Sequence, residues 1–359
     1  MNDSARSFLF DLLNTPSPSG FESAGQQKWS QYVNNIADSV ESDTYGTAWA
    51  TLKGQGGDAS PSVMIEAHAD EIGFMVNHIS EEGYLYITRI GGSDRATSRG
   101  KRVQVMGSKG PIAGVIGNTA IHIRDTKNEK IPELHELFVD IGVDNIKEVE
   151  ERGIRVGHPI VFADSVEELL PGKLTGRALD NRIGSFIIAE VLQIVAAGDS
   201  IPATLYAVNA VQEEIGGHGA KMIAYRLKPT VAVVLDVTHA TDSPGIEKTK
   251  HGSIKMGAGP SITHGMANHV KVVERLQEVA TDSEIPIQHE ATSSFTGTDT
   301  DDIFNTRSGV PTALISLPMR YMHSTIETVD LKDVEECIKL LTAFVRSVGV
   351  DDKFQVEVL

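Results

Sequence analysis

The sequence predicts an α/β fold interrupted by a small inserted β-barrel, and three observations support this. Continuous apolar runs in SVMIEAHAD, ATLYAVNAVQEE and TVAVVLDVTHA read as buried strands. RIGSFIIAEVLQIVAAG reads as a helix with a terminal glycine. From about Gly73 to Asp164 the texture changes to short alternating segments, FMVNHI, YLYITRI, RVQVMG, IAGVIG and FVDIGV, separated by glycine-containing turns.

In chain order, SARSFLFDLLNTPSPSGFE has apolar residues at helical spacing as far as Leu13 and then a Pro/Ser/Gly turn. A second helix is expected through Gln27 to Ile36, followed by strands in TAWATLKG and SVMIEAHAD. The second of these strands ends in polar residues, at the edge where open α/β sheets place their chemistry. The barrel segment follows, and the helix–strand pattern resumes after Gly176. The expected division is an α/β domain of residues 1–72 and 165–359 with an insert of residues 73–164. With 359 residues, the chain exceeds the size at which one core usually stops growing. Cys337, the single cysteine, lies in the amphipathic segment VEECIKLL and reads as a small core residue.

Composition narrows the function classes. Apolar residues make up 40% of the chain and charged residues 23%, the profile of a soluble globular protein. With 49 acidic against 32 basic residues, a net charge of −17 repels polyanions, so nucleic acid is not an expected partner. One cysteine excludes an internal disulfide or a thiolate metal site. Without an apolar window of about 18 residues or a secretory signal pattern, no membrane partner is expected and the cytoplasm is the expected address.

Three apolar strands end in groups able to bind metal: His68 and Asp70, Glu213 and Glu214, and Asp236. Taken singly, each has a plainer reading. Asp236 could be a cap, Glu213–Glu214 a solvated edge, and His323 in MRYMHST a surface residue. His122, His218, His251, His264 and His289 keep that ordinary reading. The joint pattern, with Asp180 in GRALDNR, points to a paired divalent-metal centre. Two imidazoles and three carboxylates, one of them shared, satisfy two zinc-like ions. The His-x-Asp spacing puts Asp70 on the same side as His68, where it can accept the other imidazole N–H. Of the adjacent glutamates, one could coordinate while its neighbour accepts a proton from water.

Together AHADEIGFMV, GRALDNR, VQEEIGGHGA, VLDV, GTDTDDI and PTALISLPMRYMHSTIETVD resemble the tetrahedral aminopeptidase family, which includes glutamyl aminopeptidases and proteins labelled cellulase M. The resemblance runs over nearly the whole chain. It implies a zinc-peptidase-like mixed sheet flanked by helices, with an inserted PDZ-like barrel that mediates dimerisation. The implied activity is removal of N-terminal residues from peptides. It also implies two divalent cations, zinc or alternatively cobalt or manganese, held by His68, Asp180, Glu214, Asp236 and His323, with Asp180 bridging. Glu213 matches the family's general base and Asp70 its second catalytic carboxylate, and the Asp180–Asn181 bond is expected to be cis. The implied assembly is a homo-oligomer of dimers forming a tetrahedral dodecamer. SSFTGTDTDDI, acidic where many relatives carry small residues, and GNTAIHIRD depart from the family pattern. The alternatives are a two-metal amidohydrolase or deacylase, which would not require a free α-amine, and a catalytically silent scaffold. A metal-free glycosidase is disfavoured, because adjacent glutamates cannot flank a scissile bond.

Overall fold

A computed structural model describes residues 1–125 and 127–358. An eight-stranded mixed sheet is its centre, in the order Ser39–Ser42, Ala48–Leu52, Thr204–Ala210, Ser62–His68, Val231–His239, Thr312–Met319, Ser261–His264 and Gln288–Ala291. The four middle strands run parallel, so their C-terminal ends reach the same edge.

Alternation along these strands divides their side chains between two apolar layers. Val63, Ile65 and Ala67, with Val231, Val233 and Leu235, join the larger core under helices Asp3–Asn14, Ser23–Val33, Leu179–Ala196 and Leu331–Ser347. Met64, Ala232 and Val234, with Trp49 and Val208, face helix His218–Leu227 on the other side. Leu179–Ala196 is buried almost all round, as an apolar helix without a polar face must be. It packs against Leu331–Ser347 and strand Ser62–His68, and Cys337 lies in this core.

The second helix stops at Val33 instead of reaching Ile36. The Ile36 and Ala37 amides both turn back to the Val33 carbonyl, at 3.0 and 3.1 Å, and Ile36 meets the core from the turn. Its apolar position therefore belongs to the helix exit.

Strands Gly73–Ile79, Leu85–Ile90, Phe138–Asp140, Gly110–Ile116, Arg102–Gly107 and Pro159–Phe162 close into a barrel in that order. Its core is separate and includes Phe74, Leu85, Val105, Val139 and Ile160. The rings of Phe74 and Phe162 meet edge to face, with centroids 5.6 Å apart. A three-stranded sheet, Glu167–Leu170, Lys173–Gly176 and Glu327–Asp330, lies beyond it in the chain. Among the described residues, no helix is long and apolar enough to cross a membrane.

Candidate metal centre

Sheet register brings the sequence-predicted residues to one edge. His68 closes its strand and pairs with Ala210, three residues before Glu213, while Asp236 lies within the neighbouring strand Val231–His239. Asp180 lies at a kink near the start of the buried helix, where its backbone is non-helical and its bond to Asn181 is cis. His323 follows strand Thr312–Met319. Left-handed backbone aims several of these groups: Ala178 (φ 59°), Gln212 (φ 63°) and His323 (φ 59°). Such non-glycine conformations cost of order 1–3 kcal/mol each and persist only where the surroundings impose them.

All five predicted ligands converge. His68 Nε2 lies 3.2 Å from Asp180 Oδ1 and 3.8 Å from Asp236 Oδ1. His323 Nε2 lies 3.4 Å from Asp180 Oδ2 and 3.5 Å from Glu214 Oε1. Two clusters, His68–Asp180–Asp236 and Asp180–Glu214–His323, could each hold a metal ion, and Asp180 belongs to both. Glu213 joins His68 and Glu214 in a third grouping, its Oε2 3.8 Å from His68 Nε2.

Asp70 is a fully buried hub behind this cluster. Its Oδ1 accepts from the Glu213 amide at 3.0 Å, and its Oδ2 from the Glu214 amide at 3.1 Å and the Ser19 hydroxyl at 2.6 Å. His68 Nδ1 lies 3.3 Å from Asp70 Oδ1, close enough for charge contact although it lacks hydrogen-bond alignment. One carboxylate thus holds the backbone of both glutamates and lies in charge contact with the imidazole.

The electrostatics suit a cation. Burial, against the pull of His68 and with the charges of Asp236, Asp299 and Glu214 adding to it, pushes Glu213 up to about 10. Burial also raises Asp236, to about 7, against the pull of His68. Burial lowers His323, yet Asp180 and Glu214 push it up to about 11. Glu214 Oε1 is buried without a hydrogen-bond donor. Crowded carboxylates, imidazoles and an orphaned buried oxygen form a donor set that a divalent metal would complete.

Four features escaped sequence reasoning. Glu327, 1% exposed, accepts from the Asp180 amide through Oε2 and from the His323 amide through Oε1, both at 3.1 Å. Glu327 opens the short, largely buried strand ETVD, and nothing in that segment marks it from sequence. Ser19 bonds Asp70 from the N-terminal turn. Gly91 and Gly92, leaving the barrel strand Leu85–Ile90, pass directly against Glu214 and His323. Glu66 and Asp299 form a buried carboxyl pair beneath the site, and burial raises both.

The cluster floors an open cavity of about 820 Å³. Its walls include the Gly216–Gly217 turn and the segment from Phe295 to Asn305. A carboxylate–imidazole cluster at the strand ends of an α/β sheet, opening into a pocket of this size, is the arrangement expected of a hydrolase of the metallopeptidase class. The comparisons agree. The M42 glutamyl aminopeptidase model matches residues 46–340, and the chain belongs to that family. It is 34% identical to the lysyl aminopeptidase of Pyrococcus furiosus, with 92% of this chain and 94% of that one covered. The structure of a TET aminopeptidase from a marine sediment archaeon of the Thaumarchaeota superposes with a TM-score of 0.92 at 34% identity, covering 97% and 98% of the two chains. The TET1 peptidase of Pyrococcus horikoshii, which can assemble into a tetrahedron or a large octahedral shell, gives 0.85 at 26% identity over 96% and 100%. The protein is an aminopeptidase.

Proposed function

We propose that this aminopeptidase works with two divalent cations, one held by His68, Asp236 and Asp180 and the other by His323, Glu214 and Asp180. The observation that carries this reading is that the two Asp180 oxygens face different imidazoles, in two clusters that share no other residue. When bound, the cations would polarise the scissile carbonyl, acidify the attacking water and draw neighbouring carboxyls back to their ionised forms. Zinc fits the donor set, and cobalt or manganese would be accepted by the same groups.

The remaining work falls to the chain. Glu213 is the general base. Its carboxylate takes a proton from water as the oxygen attacks the carbonyl carbon, and delivers it to the departing nitrogen as the C–N bond breaks. Asp70 holds the His68 ring and the Glu213–Glu214 backbone in register for that transfer. An aminopeptidase requires a free α-amine on its substrate, so acetylated peptides should be poor substrates. Equal rates on blocked and free peptides would favour a deacylase.

Two neighbouring glutamates provide the test. Glu213→Gln should retain metal while turnover falls by about 10² to 10⁴. Glu214→Gln should lose metal affinity first, and excess metal should partly restore it. The opposite result, metal lost from the first variant and kept by the second, would exchange the two roles.

Residues 73–164 are the proposed oligomerisation module, and residues 1–72 and 165–359 the catalytic domain. The barrel's separate core and its lack of proposed ligands support this division. The shells formed by the Pyrococcus horikoshii relative support a dodecameric assembly. Light scattering that finds a monomer at micromolar concentration would overturn it.

A further inference from the structure

The catalytic pocket has an unbalanced charge that points to its preferred substrate. Six carboxylates line it (Asp180, Glu213, Glu214, Asp236, Asp301 and Asp302), with no lysine or arginine among the lining residues. On the reading above, two divalent cations balance the first four. Asp301 and Asp302, in the segment GTDTDDI, have no such counter-charge in the pocket.

Both are held in place. Asp301 accepts from the Thr296 amide at 2.9 Å and the Gly297 amide at 2.9 Å, which fixes its loop as a wall. Asp302 lies across from Gly217, and a Cβ there would collide with its carboxylate. Behind the same glycine, Asp299 is 1% exposed and neither carboxyl oxygen meets a donor. Its Oδ1 lies 3.2 Å from where a Gly217 Cβ would stand, so the wall has no room for a side chain at this position. Lys221 pairs with Asp302, 3.4 Å from Oδ1, with a side chain 57% exposed. An exposed pair of this kind is worth little and yields readily to a bound charge. At the mouth, the exposed ring of Phe295 offers an apolar surface for a methylene stem.

We propose that the pocket selects peptides whose N-terminal residue has a cationic side chain, lysine or arginine, with Asp302 as the specificity-determining carboxylate. This rests on the aminopeptidase reading of the same site. A long aliphatic stem would pass Phe295, and its charge would meet Asp302 while Lys221 swings into solvent. A glutamyl side chain would meet repulsion from the same wall, so this chain should depart from the preference in its family's description.

The test is kcat/KM for lysyl, arginyl, leucyl and glutamyl p-nitroanilides on metal-reconstituted full-length enzyme. Lysyl and arginyl substrates should exceed glutamyl by about 100-fold or more. Asp302→Asn, which keeps the shape, should cut the lysyl-to-leucyl ratio by about tenfold. Lys221→Met, removing the competing cation, should raise it. Leucyl or glutamyl substrates cleaved faster than lysyl would overturn the inference and leave the aminopeptidase reading intact. An unchanged lysyl-to-leucyl ratio in Asp302→Asn would remove Asp302 from the role. No hydrolysis of any free-amine substrate would overturn both readings.

Discussion

Gly92 should be intolerant of even one added carbon. A Cβ at this position would stand 2.6 Å from His323 Cε1 and closer still to Nδ1, whereas ordinary contact begins at 3.4 Å. The imidazole must therefore recede by at least about 0.8 Å, and by more at Nδ1. Its Nε2 would move by a similar amount relative to Asp180 Oδ2 and Glu214 Oε1, now 3.4 and 3.5 Å away. The ring has little freedom to compensate, because the His323 amide is tied to Glu327 at 3.1 Å. A misplacement near 1 Å costs about 10²-fold in turnover, and a disturbed ligand costs about 10- to 100-fold in metal affinity. Gly92 is absent from the left-handed glycines, so alanine imposes no backbone penalty and the thermal midpoint should hold within a few degrees. Elemental analysis after dialysis, kcat on an aminoacyl-nitroanilide and a circular-dichroism melt would be measured on Gly92→Ala. Wild-type metal content together with wild-type kcat would refute the reasoning.

Other expectations follow from neighbouring contacts. Chelation should abolish hydrolysis and added zinc, cobalt or manganese should restore it; full activity in prolonged excess chelator, with metal absent by elemental analysis, would contradict the centre. Ser19→Ala removes a 2.6 Å donor from Asp70, and kcat should fall by about tenfold with metal content unchanged. Burial raises Glu71, but Arg177 and Arg182 outweigh it and hold the carboxyl below its usual range. Its stabilising contribution is therefore present above the unfolded value of about 4.3 and lost as pH falls through the lower folded value. Glu71→Gln, which strands two buried guanidinium groups, should cost about 3–5 kcal/mol by urea unfolding at pH 7 and show a shallower decline in acid.

What the sequence disclosed about the site follows the rules of strand termination. Buried runs such as VMIEA, LYAVNAV and VAVVL have little reason to end in His, Glu or Asp unless those groups meet, and in a parallel sheet they meet at one edge. The barrel was legible because its alternation and glycine spacing differ from the runs around it. Glu327 was not, since a single glutamate in a four-residue strand carries no periodic signal and its two backbone partners are set by tertiary placement. Gly91 and Gly92 look like any hairpin exit, and their closeness to His323 arises only when the barrel docks. The helix end at Val33 was misjudged because Ile36 keeps the helical period while lying in the turn that closes the helix. Glu66 reads as one polar residue in an apolar strand, and its pairing with Asp299, more than 200 positions later by the numbering, is invisible locally.

Asp180 and Asn181 form a kink at the start of the helix Leu179–Ala196, most of whose remaining residues lie inside the larger core. Elements of that kind exchange their amide hydrogens only through openings close to global unfolding. Asp180 is therefore anchored to a slowly opening element, while the pocket wall from Phe295 to Asn305, with an exposed aromatic and short hydrogen-bonded turns, is expected to open faster. The proposed recognition wall can then rearrange many times between excursions of the proposed bridging aspartate.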